Sequence, residues 1–197
     1  MPTAEGDEPI INVRGAKAAL GPIRRDLLPL YQKWLNDFEV TRTLALGLQP
    51  MTLEGEASWY ESAAHAQDEG HFTIYALPTL TPVGNTGLMS IDHRNRTAEF
   101  GILIGEKDRW NQGIGTDVAR LMLEYGFVGL GLHNIWLQAY SYNPAGIKAY
   151  ARAGYKEVGR RREAKRFAGK AYDVVLMDCI ATEFESSAMK YLLPEGR

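Results

Sequence analysis

The sequence predicts an α/β sandwich built around a mixed sheet. Helical and strand periodicities alternate along the chain in the order ααβββαβαββ. Short hairpin connections sit beside crossovers long enough to contain a helix, so the sheet must mix both pairings. The 197 residues, 45% hydrophobic and 23% charged, have an ordinary globular composition and can bury one full core.

Each element has its own signal. Residues 1–9 form a loose acidic leader, and Ala18 to Ile23 is a short apolar run. From Arg24 to Asn36, Leu27, Leu30, Tyr31 and Trp34 recur at helical spacing. Leu53 to about Gln67 is a second helix, with Thr52 as N-cap and Glu54 and Glu56 near its positive end. His71 to Leu77 is a strand. Gly84 to His93 and Thr97 to Gly105 form a hairpin joined by Arg94-Asn95-Arg96. In its second strand Ala98, Phe100, Ile102 and Ile104 face one way, and Glu99, Gly101 and Leu103 the other.

A loop from Glu106 to Gln112 leads into a helix from about Gly113 to Phe127, ended by Gly129-Leu130-Gly131. Ile135 to Ser141 is a strand. Pro144 opens a helix that runs to about Ala153, with Gly154 as its C-terminal stop. Tyr155 to Arg161 and Ala171 to Ile180 are closing strands around a basic loop. The chain divides into a leader and start of the first strand (1–16), one domain (17–183) and a tail (184–197).

Composition excludes several classes. The net charge of −2 lacks the basic excess of a dedicated nucleic-acid binder. The cluster Arg160, Arg161, Arg162, Lys165, Arg166 and Lys170 reads as a solvated hairpin loop. Cys179 is the one cysteine, so no intrachain disulfide forms, which fits a reducing, cytoplasmic setting. The acidic N-terminus has no apolar core and is no secretory signal. The longest uncharged stretch, Tyr125 to Ile147, is broken by glycines, Asn143 and Pro144, so no membrane helix is expected. His65, His71, His93 and His133 are too scattered for a zinc site.

The stretch from Thr97 to Thr116 carries the chemistry: strand, loop, then Gly113-Ile114-Gly115 at a helix start. Two residues without Cβ let a ligand approach the backbone. The free N–H groups of the helix's first turn then face an anion, and Arg109 adds charge. The same glycines also serve simply to start a helix tightly. The segment is no Walker A loop, since Gly-Lys-Ser/Thr is absent. Val118 and the seven-residue loop argue against a dinucleotide fingerprint.

Taken together, this segment, the Asn143-Pro144 turn and the helix ending Tyr150-Ala-Arg-Ala-Gly154-Tyr155 resemble the Gcn5-related N-acetyltransferase (GNAT) superfamily. The branch most similar is that of spermidine and ribosomal-protein N-terminal acetyltransferases. The resemblance spans about Lys17 to Glu183. It implies a mixed, mostly antiparallel central sheet flanked by helices, with a splayed strand pair that holds acetyl-CoA as co-substrate, and a pyrophosphate loop of pattern Gln/Arg-x-x-Gly-x-Gly/Ala. Here that loop is Trp110, Asn111, Gln112, Gly113, Ile114 and Gly115, followed by Thr116. Trp110 replaces the usual Gln or Arg, and Asn111 stands where many members have Gly. The pantetheine arm is expected on the strand edge at Ile102, Leu103 and Ile104. Asn143 is expected to contact the cofactor, or simply to make the turn. Lys148 and Arg152 are expected near its phosphates, or solvated.

For catalysis the resemblance implies Tyr150 as the acid that protonates the leaving thiolate. A phenol of pKa about 10 keeps its proton at neutral pH yet matches a thiolate in basicity. The other reading is a core tyrosine. Glu99 is the candidate base for the amine, through water, or else a salt-bridged strand residue. Ser141 borders the same site. The acceptor is expected to be a primary amine: a polyamine, a peptide N-terminus or another small amine. Asp37, Glu39, Glu54, Glu56 and Glu61, interleaved with Trp34, Trp59 and Tyr60, would hold a cation, or they are the faces of two amphipathic helices. A homodimer is expected from the resemblance, helped by Met189, Tyr191, Leu192 and Leu193. The alternatives are a CoA- or partner-binding module without turnover and, more remotely, a nicotinamide-dependent oxidoreductase.

Overall fold

The computed structural model describes residues 8–189. One eight-stranded sheet runs through it: β1 (Val13–Arg14), β2 (Ala18–Pro22), β3 (Gly70–Ala76), β4 (Thr81–Asp92), β5 (Thr97–Ile104), β6 (Asn134–Tyr140), β7 (Lys156–Phe167) and β8 (Lys170–Ile180). The order across the sheet is β1-β2-β3-β4-β5-β6-β8-β7. Every pairing is antiparallel except β5 with β6, where Thr97, Ala98 and Glu99 oppose Asn134, Ile135 and Trp136. Past that third rung the two strands part, which is the expected splay.

The helices are α1 (Leu28–Leu35), α2 (Phe38–Thr41), α3 (Leu53–His65), α4 (Ile114–Glu124) and α5 (Pro144–Ala153). Each face of the sheet has its own core. Ile114, Val118, Leu121 and Met122 of α4, at helical spacing, bury against Leu88, Ala98, Phe100, Ile135 and Leu137. On the other face Leu28, Tyr31 and Trp34 of α1 pack with Trp59, Tyr60 and Leu103. This separates the two sets of β5 side chains as the alternation requires.

The local signals explain most boundaries. Thr52 accepts the Gly55 N–H at 3.0 Å, capping α3 as expected. The predicted first helix starts late. A 3-10 turn at Arg25–Leu27 precedes α1, and Pro29 suits the start of α1 because it has no N–H to donate. The short α2 was not anticipated, though Asp37 caps it by accepting the Glu39 N–H at 2.9 Å.

One expectation is corrected. The basic residues do not form a loop, because the turn between β7 and β8 is only Ala168-Gly169. Both residues have positive φ, 48° and 77°, which matches the twist of a tight hairpin. Arg160, Arg161, Arg162, Lys165 and Arg166 therefore lie on the outer strand, where charge discourages pairing with another chain.

Residues 184–189 lie against α4. Glu124 is fully buried and accepts the backbone N–H groups of Ala188 at 3.0 Å and Met189 at 3.2 Å, with further bonds from Ser186 and Ser187. Burial alone would raise its pKa, but these donors outweigh burial and hold the carboxyl below its ordinary value. Met189 is thus buried in its own chain. Tyr191, Leu192 and Leu193 lie outside the described residues.

Candidate active site

A cleft of about 670 Å³ opens where β5 and β6 part, between α4, α5 and the α2 segment. Thirteen of the predicted cofactor residues line it: Ile102, Leu103, Ile104, Arg109, Trp110, Asn111, Gly113, Ile114, Gly115, Thr116, Asn143, Lys148 and Tyr150. Gln112 does not. Its side chain turns back to the Asp108 carbonyl, and its own carbonyl accepts from Lys17 at 2.6 Å.

The backbone at the mouth is shaped for an anion. Gly113 sits at φ +84° ahead of α4, a conformation that costs glycine little and other residues more. Asn111 is also left-handed, at φ +59°. A Cβ added at Gly115 would meet no atom within 4 Å, so that side of the helix start is open to a ligand. Four cations, Arg42, Arg109, Lys148 and Arg152, line the cleft. The one carboxylate among the lining residues, Glu39, is ion-paired with Lys107 at 2.9 Å. In a chain of net charge −2 this is a local positive field.

The strand edge divides its backbone groups by parity. Gly105 N–H bonds to the Val83 carbonyl at 2.8 Å, which sets the hydrogen-bonded rungs with β4. Antiparallel alternation then commits Leu103 to β4 and turns the N–H and C=O of Ile102 and Ile104 towards the splay. The Ile104 carbonyl already accepts the Trp110 indole N–H at 2.9 Å. Of the three expected strand contacts, Ile102 and Ile104 thus offer backbone groups and Leu103 offers only its side chain.

Asn143 accepts the Gly146 N–H at 3.0 Å and caps α5 while lining the cleft, so both of its expected roles are open to it. Tyr150 packs edge-on against Phe100, with centroids 6.0 Å apart, and reaches the cleft from α5. Burial pushes its phenol up to about 12, so the proton is held more tightly than the sequence alone suggests. Glu99 lies on the opposite face of β5 and does not line this cleft; Gln138 approaches its carboxylate at 3.4 Å. Arg96 bonds the Gly131 carbonyl instead, and Glu99 has no ion pair with Arg94 or Arg96.

The acidic and aromatic residues of the first helices do not gather into one pocket. Asp37 and Glu39 both pair with Lys107, and Glu61 pairs with Arg25. Trp34 is buried and donates to Glu106 at 2.8 Å. Glu56 is 2% exposed with its carboxyl raised to about 7 by burial. Sequence reasoning missed the contribution of α2 and its successor, where Val40, Arg42, Thr43 and Leu44 line the cleft. No motif marks them; the bond from the Tyr142 hydroxyl to the Arg42 carbonyl, 2.8 Å, ties that segment to the far side.

A sheet split at one parallel pair, with a glycine-led helix start at the split, defines the class of this domain. Residues 19–156 match the model of the acetyltransferase (GNAT) domain family. The chain belongs to that family and is an acetyltransferase.

Individual relatives agree. The chain is 24% identical over 161 residues to an uncharacterised N-acetyltransferase of Bacillus licheniformis, covering 79% of this chain and 83% of that protein. It is 30% identical over 100 residues to spermidine N(1)-acetyltransferase of Escherichia coli strain K12, 51% of this chain and 52% of that one. Its fold is similar to that of spermidine N-acetyltransferase from Vibrio cholerae, solved in complex with CoA and spermine. The TM-score is 0.78 at 22% identity, covering 84% of this chain and 96% of that chain.

Proposed function

We propose that this acetyltransferase moves the acetyl group of acetyl-CoA directly to the nitrogen of a small primary amine, a polyamine or a peptide N-terminus. The observation that carries the reading is the cleft's chemistry: four cations, an open helix start and two strand residues, Ile102 and Ile104, whose backbone groups face the splay beyond the last β5–β6 rung. A long, polyanionic cofactor with an amide-bearing arm matches that sequence of groups. Gly113, Ile114, Gly115 and Thr116 would hold its diphosphate through N–H groups, with Arg109 and Lys148 beside them. Ile102 and Ile104 would pair with its arm as a further strand would.

When bound, acetyl-CoA supplies an activated acyl group on a thiol leaving group. The protein's part is orientation and proton control. Tyr150, protonated at every working pH, holds a proton on the α5 side of β5 for the departing sulfur. Glu99, on the other face where the splay begins, takes a proton from the incoming ammonium through water. The reactive path thus crosses the sheet through its gap. The relatives that carry polyamine activity support an amine acceptor, while the internal pairing of Asp37, Glu39 and Glu61 leaves its identity to experiment.

The test follows free thiol with acetyl-CoA and a panel of spermidine, N-terminal peptides, aminoglycosides and amino sugars. Thiol release with at least one amine is expected. CoA binding without release on the whole panel would make the chain a binding module, and no CoA binding would overturn the reading. The single domain over 17–183 and a cytoplasmic setting belong to the same proposal. The homodimer does too; light scattering that shows only monomer at micromolar concentration would remove it. Among the described residues no helix is long and apolar enough to cross a membrane.

A further inference from the structure

The turn between β1 and β2 is clamped to the first turn of α4, directly behind the cleft. The backbone N–H groups of Lys17 and Ala18 donate to Asp117 Oδ2 at 2.7 and 2.9 Å. A Cβ on Gly15 would stand 2.5 Å from the same oxygen, so this close approach requires glycine. The clamp places the Lys17 ammonium 2.6 Å from the Gln112 carbonyl, which it holds by a charged hydrogen bond. The position where Gly113 would carry a Cβ is 2.9 Å from the same ammonium.

The geometry of one peptide unit gives this contact its meaning. The bond between Gln112 and Gly113 is trans, so its C=O and N–H point in opposite directions. Lys17 holds the carbonyl outward, behind the loop. The Gly113 N–H then points away from Lys17, which itself lies outside the cleft that Gly113 lines. Left-handed backbone at Gly113 beside helical Ile114 makes successive N–H groups converge, the arrangement of an anion-binding concavity. Asp117 would oppose an anion if its charge were free, but it is engaged by the clamp's own N–H groups.

We infer that Lys17 is a positioning residue for the cofactor diphosphate: it fixes the Gln112–Gly113 peptide so that the cradle is formed before the cofactor arrives. Lys17 does not itself line the cleft, so it acts through that peptide. The inference rests on the acetyl-CoA reading above and extends it to a residue outside the loop motif.

The test compares Lys17→Met, Lys17→Arg and the parent by calorimetric titration with CoA. The Met variant should bind CoA about tenfold more weakly, the scale of one lost donor to a charged group. The Arg variant, which restores a cationic donor, should recover most of the affinity. In turnover, the Met variant should raise KM for acetyl-CoA and leave kcat unchanged. With S-acetylpantetheine, which has no diphosphate, kcat/KM should equal the parent's. Parent-like CoA affinity in a folded Met variant, or an equal loss with S-acetylpantetheine, overturns the role of Lys17. If the Met variant does not fold, Lys17→Gln, shorter and neutral, is read in the same way. A parent that binds no CoA instead overturns the acetyl-CoA reading itself, so the two failures are distinct.

Discussion

Glu99 and Trp136 form the last rung on which β5 and β6 pair; from the next residue the strands diverge. Glu99 therefore stands at the apex of the gap, on the face opposite Tyr150. As the proposed base, a carboxylate at that point would meet an amine arriving on the far side of the sheet from the cofactor cleft.

That placement predicts the effect of Glu99→Gln. The neutral variant cannot accept the ammonium proton, so its rate should rise only at higher pH, where more amine is already neutral. The pH dependence of kcat/KM is the measurement. A profile identical to the parent's assigns Glu99 to its contact with Gln138.

Tyr150→Phe keeps the ring packing against Phe100 and removes the proton. Its phenol, pushed up to about 12 by burial, stays protonated throughout the neutral range, so no rate transition from Tyr150 is expected there. Single-turnover rates should fall by about 10²-fold, the low end for a lost general acid, with CoA affinity retained. Unchanged single-turnover rates would leave Tyr150 a core residue.

Trp110→Phe breaks the bond that ties the loop back to the Ile104 carbonyl. One neutral hydrogen bond contributes about 1 kcal/mol, so CoA affinity should drop about fivefold with little change in kcat. Calorimetry on the folded variant decides; affinity equal to the parent's would show that the indole does not set the loop's position.

Much of this was legible in the sequence, for identifiable reasons. Alternation in β5 fixed which side chains face α4, and helical spacing fixed the buried stripe of α4. The Asn143-Pro144 start and Gly154 stop bounded α5. β7 runs past its expected end at Arg161 to Phe167; as an outer strand exposed along most of its length, it shows no inside–outside alternation in its charged residues. The two-residue β1 and four-residue α2 are too short for a periodic signal. Arg42 and Leu44 reach the cleft only through tertiary packing, and the Lys17 contact links residues far apart in sequence. Neither leaves a local pattern.

Glu56 gives a prediction about stability. Its carboxyl is raised by burial from 4.5 to about 7. A raised acid stabilises the fold fully below its unfolded value, and that contribution is lost as pH rises through the folded value. Above about pH 7 the buried charge therefore costs up to about 3 kcal/mol. Glu56→Gln should raise the thermal midpoint at pH 8 and change it little at pH 5. An equal shift at both values would show that the ionisation of Glu56 is not responsible.

The proposed diphosphate cradle on the backbone of Gly113 and Gly115 is probed most directly by Gly115→Val. A Cβ at this position meets no protein atom within 4 Å, so the variant should fold with nearly the parent's thermal midpoint. It would nonetheless project a branched group into the space the phosphates need. Calorimetric titration should show CoA bound at least about tenfold more weakly than by the parent. Undiminished CoA affinity in the folded variant would show that no phosphate rests against Gly115.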